Sequence, residues 1–245
     1  MSKVVVHYFN ARTLGQGPRT LLAYGGQEFE DHRLTREEWP AFKPKTPFGQ
    51  VPVLEWDGKM FGQSTAICRY LGRKYSLAGD TLEEGLEIDQ NVDYFRDLVT
   101  EASAIFREED QELKALKLKQ ALQDEYPRML KKLEEIVAKN DGHIACGKLT
   151  WGDFMIAGMY DGLKMILQMP DLYEQYPNLK RIYENVVAIP QVLPSVPQTG
   201  EFSSGHLQPS SPVTRYSQRR TGGRVLYCCR IYLVSWHSYD QELLK

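Results

Sequence analysis

The segment FGQVPVL at residues 48–54 carries the strongest local signal in this chain of 245 residues. Pro52 precedes a short apolar run, and since a proline cannot donate to a sheet ladder, it marks the start of a strand. A cis Val51–Pro52 bond would turn the main chain of Val51 outward, where its N–H and C=O could pair with a peptide-like ligand as a sheet edge does. An ordinary edge proline is the alternative that this segment leaves open.

The residues after this segment predict a β-hairpin and then a helix. The runs Val51–Trp56 and Lys59–Phe61 flank Asp57-Gly58, which is the strongest short hairpin signal. Apolar residues recur at helical spacing from Ser64 to Tyr75, and Ser64 is expected to be the N-cap. Upstream, the pattern predicts strand, helix and strand at Lys3–Tyr8, Arg19–Tyr24 and Phe29–Leu34. The order βαβ followed by ββα predicts a small sheet with parallel and antiparallel pairs.

Beyond residue 76 the pattern changes to helices alone. After a linker at residues 76–82, the stretches Glu83–Arg107 and Gln111–Lys139 are amphipathic and predict long helices packed as a bundle. Thr150 and Asp153 have the spacing of a capping box, with Trp151, Phe154, Met155 and Leu163 expected in the core. Pro177 suits the first turn of a last helix that ends near Val187.

Residues 193–245 differ in character from the rest of the chain. Residues 194–224 are rich in Pro, Ser, Gly and Arg without sustained periodicity, which predicts loop or disorder. Residues 225–234 are apolar again and contain the pair Cys228-Cys229. Our hypothesis is that this tail comes from an alternative exon or a frameshift.

Composition and charge argue against several classes of function. A net charge of -2 argues against a nucleic-acid footprint or a polybasic membrane patch. The four cysteines form no CxxC pair, which fits a reducing cytoplasm, and the histidines show no metal-ligand spacing. We expect no signal peptide in MSKVVVHYFN, and the longest apolar stretch is too short to span a bilayer.

Three side chains outside the decisive segment suggest chemistry. Tyr8 ends the first predicted strand, and a phenol that donates to a thiolate lowers the pKa of that thiol. Most strand-end tyrosines are core residues, but this hydroxyl would face the same cleft as Pro52 and Ser64. Trp39 and Lys43 lie four residues apart and share a face if their segment is helical. A core tryptophan and a solvated lysine are the alternatives.

Together these motifs resemble the glutathione S-transferase superfamily, and its sigma class most closely. The resemblance covers roughly residues 3–192 and rests on HYFN (7–10), WP (39–40), KP (43–44), FGQVPVL (48–54), QSTAI (63–67), RYL (69–71) and GKLTWGDF (147–154). It implies an α/β thioredoxin-like N-terminal domain at residues 1–76 and an all-α helical-bundle C-terminal domain at residues 83–192. It also implies a cytoplasmic homodimer.

The resemblance assigns roles at the reacting end of glutathione. Tyr8 matches the tyrosine that activates the glutathione thiol. Gln50 and Val51 match the residues that clamp the cysteinyl moiety, and Pro52 matches the cis proline.

The two ends of the tripeptide have their own matches. Trp39 and Lys43 match residues that contact the glycine carboxylate, whereas Gln63 and Ser64 match the γ-glutamyl site. The N–H groups at a helix start, together with the Ser64 hydroxyl, suit a carboxylate on physical grounds as well. Asp97 matches an acid that reaches the γ-glutamyl amine across a dimer interface, with a solvated helix residue as the alternative.

The implied reaction is attack of the glutathione thiolate on a small, soft, hydrophobic electrophile, with glutathione as co-substrate and no metal or other cofactor. A glutathione-dependent prostaglandin isomerase of the same family is an alternative. A non-catalytic, crystallin-like or ligand-binding relative is another. A thiol-disulfide oxidoreductase is disfavoured, because the first domain lacks CxxC and its one cysteine, Cys68, lies on the interior face of a helix.

Two departures from the family pattern affect these expectations. Many members carry Arg-Gly-Arg-Ala-Glu where this chain has RTLGQ at residues 12–16, so Leu14 stands in the position of the second arginine. This leaves the electrostatic environment of Tyr8 open. The tail after Val192 replaces the segment that packs beside the electrophile pocket, which leaves the choice of electrophile open.

Overall fold

The computed structural model describes residues 2–193, so the tail prediction lies outside the described residues from residue 194 onward. The first part of the chain contains β1 (Val4–Phe9), α1 (Gln16–Tyr24), β2 (Glu30–Leu34), α2 (Trp39–Phe42) with a 3-10 turn (Lys43–Lys45), β3 (Val53–Trp56), β4 (Lys59–Gly62) and α3 (Ser64–Lys74). The strands form one sheet in the order β2-β1-β3-β4. Strand β1 runs parallel to β2 and antiparallel to β3, which confirms the predicted mixed sheet.

The central strand and the hairpin show why this sequence forms this sheet. All six residues of β1 are buried, as expected for a strand with neighbours on both edges and packing on both faces. The hairpin between β3 and β4 turns at Asp57 and Gly58, whose φ angles are 49° and 81°. Two positive φ angles are what a tight two-residue hairpin turn requires, and Asp-Gly tolerates them.

The second part of the chain is helical among the described residues. It contains α4 (Leu82–Phe106), α5 (Gln111–Gln120), a π-helical turn (Ala121–Glu125), α6 (Tyr126–Lys139), α7 (Trp151–Gly158), α8 (Tyr160–Leu167), α9 (Leu172–Gln175) and α10 (Pro177–Val187). The prediction of one regular helix over Gln111–Lys139 is wrong in one respect, because the π-helical turn interrupts it. Pro127 lies in the first turn of α6 and lacks the N–H that an uninterrupted α-helix would use there.

Two glycines allow the helical part to pack closely against the sheet-containing part. A Cβ on Gly158 of α7 would lie 2.7 Å from the main-chain nitrogen of Gly17 in α1. A Cβ on Gly72 of α3 would collide with the Trp151 side chain in the same way. The main-chain N–H of Trp151 also donates to the Leu77 carbonyl at 3.0 Å. Helix α7 is therefore one of the elements through which the two parts meet.

The start of α7 forms the predicted capping box. The buried Asp153 carboxylate accepts hydrogen bonds from the Thr150 main-chain N–H at 2.7 Å and from the Ile144 N–H at 2.8 Å. The predicted core residues of this region are all buried, namely Trp151, Phe154, Met155 and Leu163.

The fold is therefore a thioredoxin-like α/β domain followed by a helical domain. Within residues 2–193, no helix combines the length and apolar character needed to cross a bilayer.

Candidate active site

A cleft opens between the loop after β1, the segment before β3 and the start of α3. Its lining consists of Leu14, Phe48, Gln50, Val51, Pro52, Gly62, Gln63, Ser64 and Arg96. Five of these residues belong to the set predicted from the sequence: Gln50, Val51, Pro52, Gln63 and Ser64. These five come from two separate stretches of sequence that meet at one surface.

The segment before β3 presents its main chain to this cleft. The Val51–Pro52 peptide bond is cis, as the family resemblance implied, and the alternative of an ordinary edge proline is wrong. Gly49 has a φ of 66°, a conformation that glycine adopts without steric cost. The Val51 side chain is buried and packs with the hydrophobic core. The cleft at this point is consequently bordered by backbone rather than by a large side chain.

The start of α3 differs from the prediction in one detail. Ser64 was expected to be the N-cap, but Ser64 is already the first helical residue and Gln63 occupies the N-cap position. Gln63 has φ 70° and ψ 103°, and no side chain caps the helix. The Gln63 amide instead donates toward the Gln50 side-chain oxygen at 3.4 Å. The positive end of the α3 dipole therefore lies at the cleft without a side-chain cap.

Tyr8 lies behind this cleft rather than in its lining. Its side chain is buried, with only 2% of the residue exposed, and its hydroxyl lies 2.6 Å from the Thr13 hydroxyl. A Cβ on Gly15 would collide with the Tyr8 ring, so glycine makes room for the ring there. Leu14, between Thr13 and Gly15, does line the cleft. The loop after β1 therefore contributes both Thr13, which contacts the Tyr8 hydroxyl, and Leu14, which lines the cleft.

Trp39 and Lys43 do not belong to the cleft lining. Trp39 is buried and packs edge-on against Phe9 with ring centroids 5.6 Å apart, so it is in part a core residue. The Lys43 ammonium lies 5.8 Å from the Trp39 ring centroid, which places the two side chains on one face as their spacing predicts. The Lys43 stem runs beside Gly49. This contact brings a cation next to the segment that leads into Gln50.

Arg96 and Thr13 are site residues that the sequence analysis missed. Arg96 extends from α4 to the cleft wall, whereas the neighbouring Asp97, which was predicted, is exposed on α4. The signal for Arg96 was its position beside Asp97 in a segment that already matched the family. Thr13 carried no signal, because nothing in the sequence places its hydroxyl against Tyr8.

The cysteines in the described part of the chain are poorly suited to redox chemistry. Cys68 is fully buried, and burial raises the pKa of its thiol far above the ordinary value. Burial and the carboxylate of Glu87 raise the pKa of Cys146 to about 11. A nucleophilic cysteine needs a lowered pKa, so neither thiol is activated. Residues 2–193 contain no cluster of His, Cys, Asp or Glu suited to a metal ion.

Comparison with protein families gives two matches that together span most of residues 2–193. Residues 4–73 match the model described as glutathione S-transferase, N-terminal domain. Residues 96–193 match the model described as glutathione S-transferase, C-terminal domain. The two matches follow the division between the sheet-containing and the helical parts of the fold.

Individual proteins agree with these matches. "Glutathione S-transferase 2" of Manduca sexta is 54% identical over 192 residues, which are 78% of this chain and 94% of that protein. "Glutathione S-transferase S1" of Drosophila melanogaster is 43% identical over 182 residues, covering 74% of this chain and 73% of the relative. The solved structure of prostaglandin synthase D of Nilaparvata lugens superposes with a TM-score of 0.73 at 38% identity. It covers 78% of this chain and 96% of that one.

Proposed function

The chain belongs to the glutathione S-transferase family, and we propose that it uses Tyr8 to activate the glutathione thiol for attack on soft electrophiles. The observation that supports this most is the convergence of Gln50, Val51, Pro52, Gln63 and Ser64 on one cleft with Tyr8 behind it. Because the α3 terminus at that cleft has no side-chain cap, it offers its N–H groups to an anion.

We place the γ-glutamyl end of glutathione at the start of α3. Its carboxylate would accept hydrogen bonds from the Ser64 hydroxyl and the first main-chain N–H groups of the helix. Gln63 would hold the same end through its amide. The cysteinyl moiety would then pair with the main chain of Val51, and the glycine carboxylate would lie toward Lys43 and Trp39.

The chemical step follows from this placement. When the glutathione thiol releases its proton to solvent, the Tyr8 hydroxyl donates a hydrogen bond to the sulfur and stabilises the anion. A hydroxyl donates one hydrogen bond and accepts others, so Tyr8 can accept from Thr13 while it donates to sulfur. Holding the thiolate beside an electrophile removes much of the entropic barrier to the reaction. Tyr8 thus lowers the pKa of the thiol, and the cleft supplies the orientation.

Further assignments complete the proposal. We assign the protein to a sigma-like class, with domain boundaries at residues 1–76 and 83–192. We also propose a detoxifying role in the cytoplasm as a homodimer, in which Asp97 of each subunit reaches the γ-glutamyl amine bound by the other. The exposed position of Asp97 on α4 is compatible with this role.

A prostaglandin isomerase is the second candidate function. The similarity to prostaglandin synthase D of Nilaparvata lugens favours it, and the same thiolate would serve both reactions. A non-catalytic, crystallin-like relative is disfavoured, because Tyr8 and the set of cleft residues predicted for glutathione are all retained.

Kinetics of the full chain with glutathione and a generic aryl halide test this proposal. We expect Tyr8→Phe to lower kcat/KM for conjugation by about 100-fold, in the range for removing one hydrogen-bond donor to a reacting anion. The matched control is Tyr70→Phe, which removes a hydroxyl from an exposed residue of α3 and should leave conjugation unchanged. Equal activity of Tyr8→Phe and the unmodified protein would contradict the role of Tyr8. Efficient isomerisation of a prostaglandin endoperoxide without conjugation would favour the second candidate.

A further inference from the structure

A buried arginine lies against Tyr8 and has no part in the chemistry described so far. Arg19 of α1 is only 2% exposed, and its guanidinium carbon lies 5.7 Å from the centroid of the Tyr8 ring. Burial lowers the pKa of Arg19, and the neighbouring carboxylate of Asp31 opposes this effect. Burying a charge costs free energy unless partners compensate it, so Arg19 requires hydrogen-bond and ion-pair partners.

The partners of Arg19 hold it in one orientation. Its Nε donates to Asp31 Oδ1 at 2.7 Å, while its terminal nitrogens donate to the carbonyls of Ala11 and Phe9, each at 3.3 Å. These carbonyls belong to the end of β1 and to the loop that continues to Thr13. Arg19 therefore fixes both the strand that carries Tyr8 and the loop that carries its hydrogen-bond partner.

The ion pair leaves a net positive charge near the tyrosine. The second oxygen of Asp31 accepts a hydrogen bond from Arg33 Nε at 2.9 Å, so two guanidinium groups share one carboxylate. Arg19 is the buried member of this group, whereas the Arg33 side chain is 40% exposed and more strongly screened by solvent. Leu14 contributes no charge at the adjoining cleft wall. Arg96 lines the cleft and adds a second cation there, whereas Arg19 is the buried cation at the face of the Tyr8 ring.

We propose that Arg19 is a positioning residue whose charge makes the Tyr8 hydroxyl a stronger hydrogen-bond donor to the glutathione thiolate. This inference rests on the proposed function, in which Tyr8 donates to the sulfur. A cation at the ring face attracts the π electrons and favours negative charge on the phenol oxygen. The same field acts on the thiolate beyond it, although more weakly because the distance is greater.

An electrostatic role and a purely structural role of Arg19 predict different effects of two substitutions on the pKa of the bound thiol. Removing the cation with Arg19→Met should raise the pKa of the bound thiol, because the thiolate loses stabilisation. Removing the anion with Asp31→Asn should lower that pKa, because less of the positive charge is compensated. If Arg19 acted only as a structural clamp, both substitutions would loosen the same loop and would shift the thiol in the same direction or not at all.

The test is a pH titration of the thiolate ultraviolet absorbance in the glutathione complex of the full chain. We expect the thiol pKa to rise by about one pH unit in Arg19→Met and to fall by about half a unit in Asp31→Asn. Shifts of about this size are expected when one nearby charge is removed. Arg19→Lys keeps the charge and should stay within about 0.3 of the unmodified value. The complex with S-methylglutathione, which has no thiol, supplies the absorbance background.

The outcomes separate this inference from the proposed function. Shifts of Arg19→Met and Asp31→Asn in the same direction, or no shift in either, overturn the inference. If Arg19→Met does not fold, an unchanged or raised thiol pKa in Asp31→Asn overturns it alone. Tyr8→Phe is titrated in parallel: an unaltered thiol pKa there overturns the role of Tyr8 itself. A raised pKa in Tyr8→Phe without a shift in Arg19→Met overturns only the role of Arg19.

Discussion

Two helix N-termini in this protein are built in opposite ways. At the start of α7, the fully buried Asp153 accepts hydrogen bonds from the main-chain N–H groups of Thr150 and Ile144 and from the Thr150 hydroxyl at 3.0 Å. At the start of α3, Gln63 occupies the N-cap without any side-chain cap. The start of α7 is enclosed by protein and is called the closed terminus below. The start of α3 lines the cleft and is called the open terminus.

The difference follows from what each terminus faces. Buried N–H groups without partners are costly, so α7 needs a carboxylate from its own chain where it packs between the two domains. The start of α3 lines the cleft, and under our proposal a carboxylate of the substrate accepts from its N–H groups. The comparison therefore predicts that changes at α7 affect folding, whereas changes at α3 affect binding.

The largest expected effect is at the closed terminus. Asp153→Ala leaves the N–H groups of Thr150 and Ile144 buried without their acceptor, at about 1–3 kcal/mol each, so we expect the free energy of unfolding to fall by about 3–5 kcal/mol. Urea denaturation measures this change. The matched control is Asp110→Ala, which removes an exposed N-cap of α5 and should cost only about 1 kcal/mol. Equal costs for the two variants would refute the distinction between buried and exposed caps.

The next effect separates binding from stability. Ser64→Ala removes a hydroxyl that does not cap α3, so the free energy of unfolding should change by less than about 0.5 kcal/mol. The dissociation constant of S-methylglutathione should rise about tenfold, because one hydrogen bond to its carboxylate is lost. Titration calorimetry measures the affinity.

Thr150→Ala is the reciprocal variant, and it should show the opposite pattern. We expect a loss of about 1 kcal/mol in the free energy of unfolding, with unchanged affinity for S-methylglutathione. A Ser64→Ala variant that loses stability and keeps its affinity would mean that Ser64 acts as a structural cap after all.

Local patterns predicted the closed terminus better than the open one. Thr150 and Asp153 lie three residues apart, so the capping box could be read from spacing alone, as could the Asp57-Gly58 hairpin. The N-cap of α3 could not, because a positive φ at Gln63 depends on how the loop after β4 packs. Arg96 was missed for a related reason: it reaches the cleft from α4, and sequence periodicity does not report contacts between domains.

The interrupted helix over Gln111–Lys139 shows a second limit of prediction from sequence. Pro127 is visible in the sequence, but apolar residues continue at helical spacing on both sides of it, so periodicity predicted one helix. The chain stays helical and accommodates the missing N–H with a π-helical turn at Ala121–Glu125. Periodicity thus identified the buried face correctly, although it gave no information about the hydrogen-bond pattern beneath it.

The smallest expected effect concerns the backbone that leaves α3 uncapped. Gln63 has a φ of 70°, which is unfavourable for a residue with a Cβ, and Gln63→Gly should relieve this cost. We expect the free energy of unfolding to rise by up to about 1 kcal/mol, while the affinity for S-methylglutathione falls about threefold as the amide contact is lost. Gln63→Ala is the matched control, since it loses the same amide and keeps the Cβ. If both variants bind equally weakly and only Gln63→Gly is stabilised, the strain belongs to the open terminus and is separable from the contact. If Gln63→Gly is no more stable than Gln63→Ala, the positive φ carries no cost here, and the uncapped start of α3 is not strained.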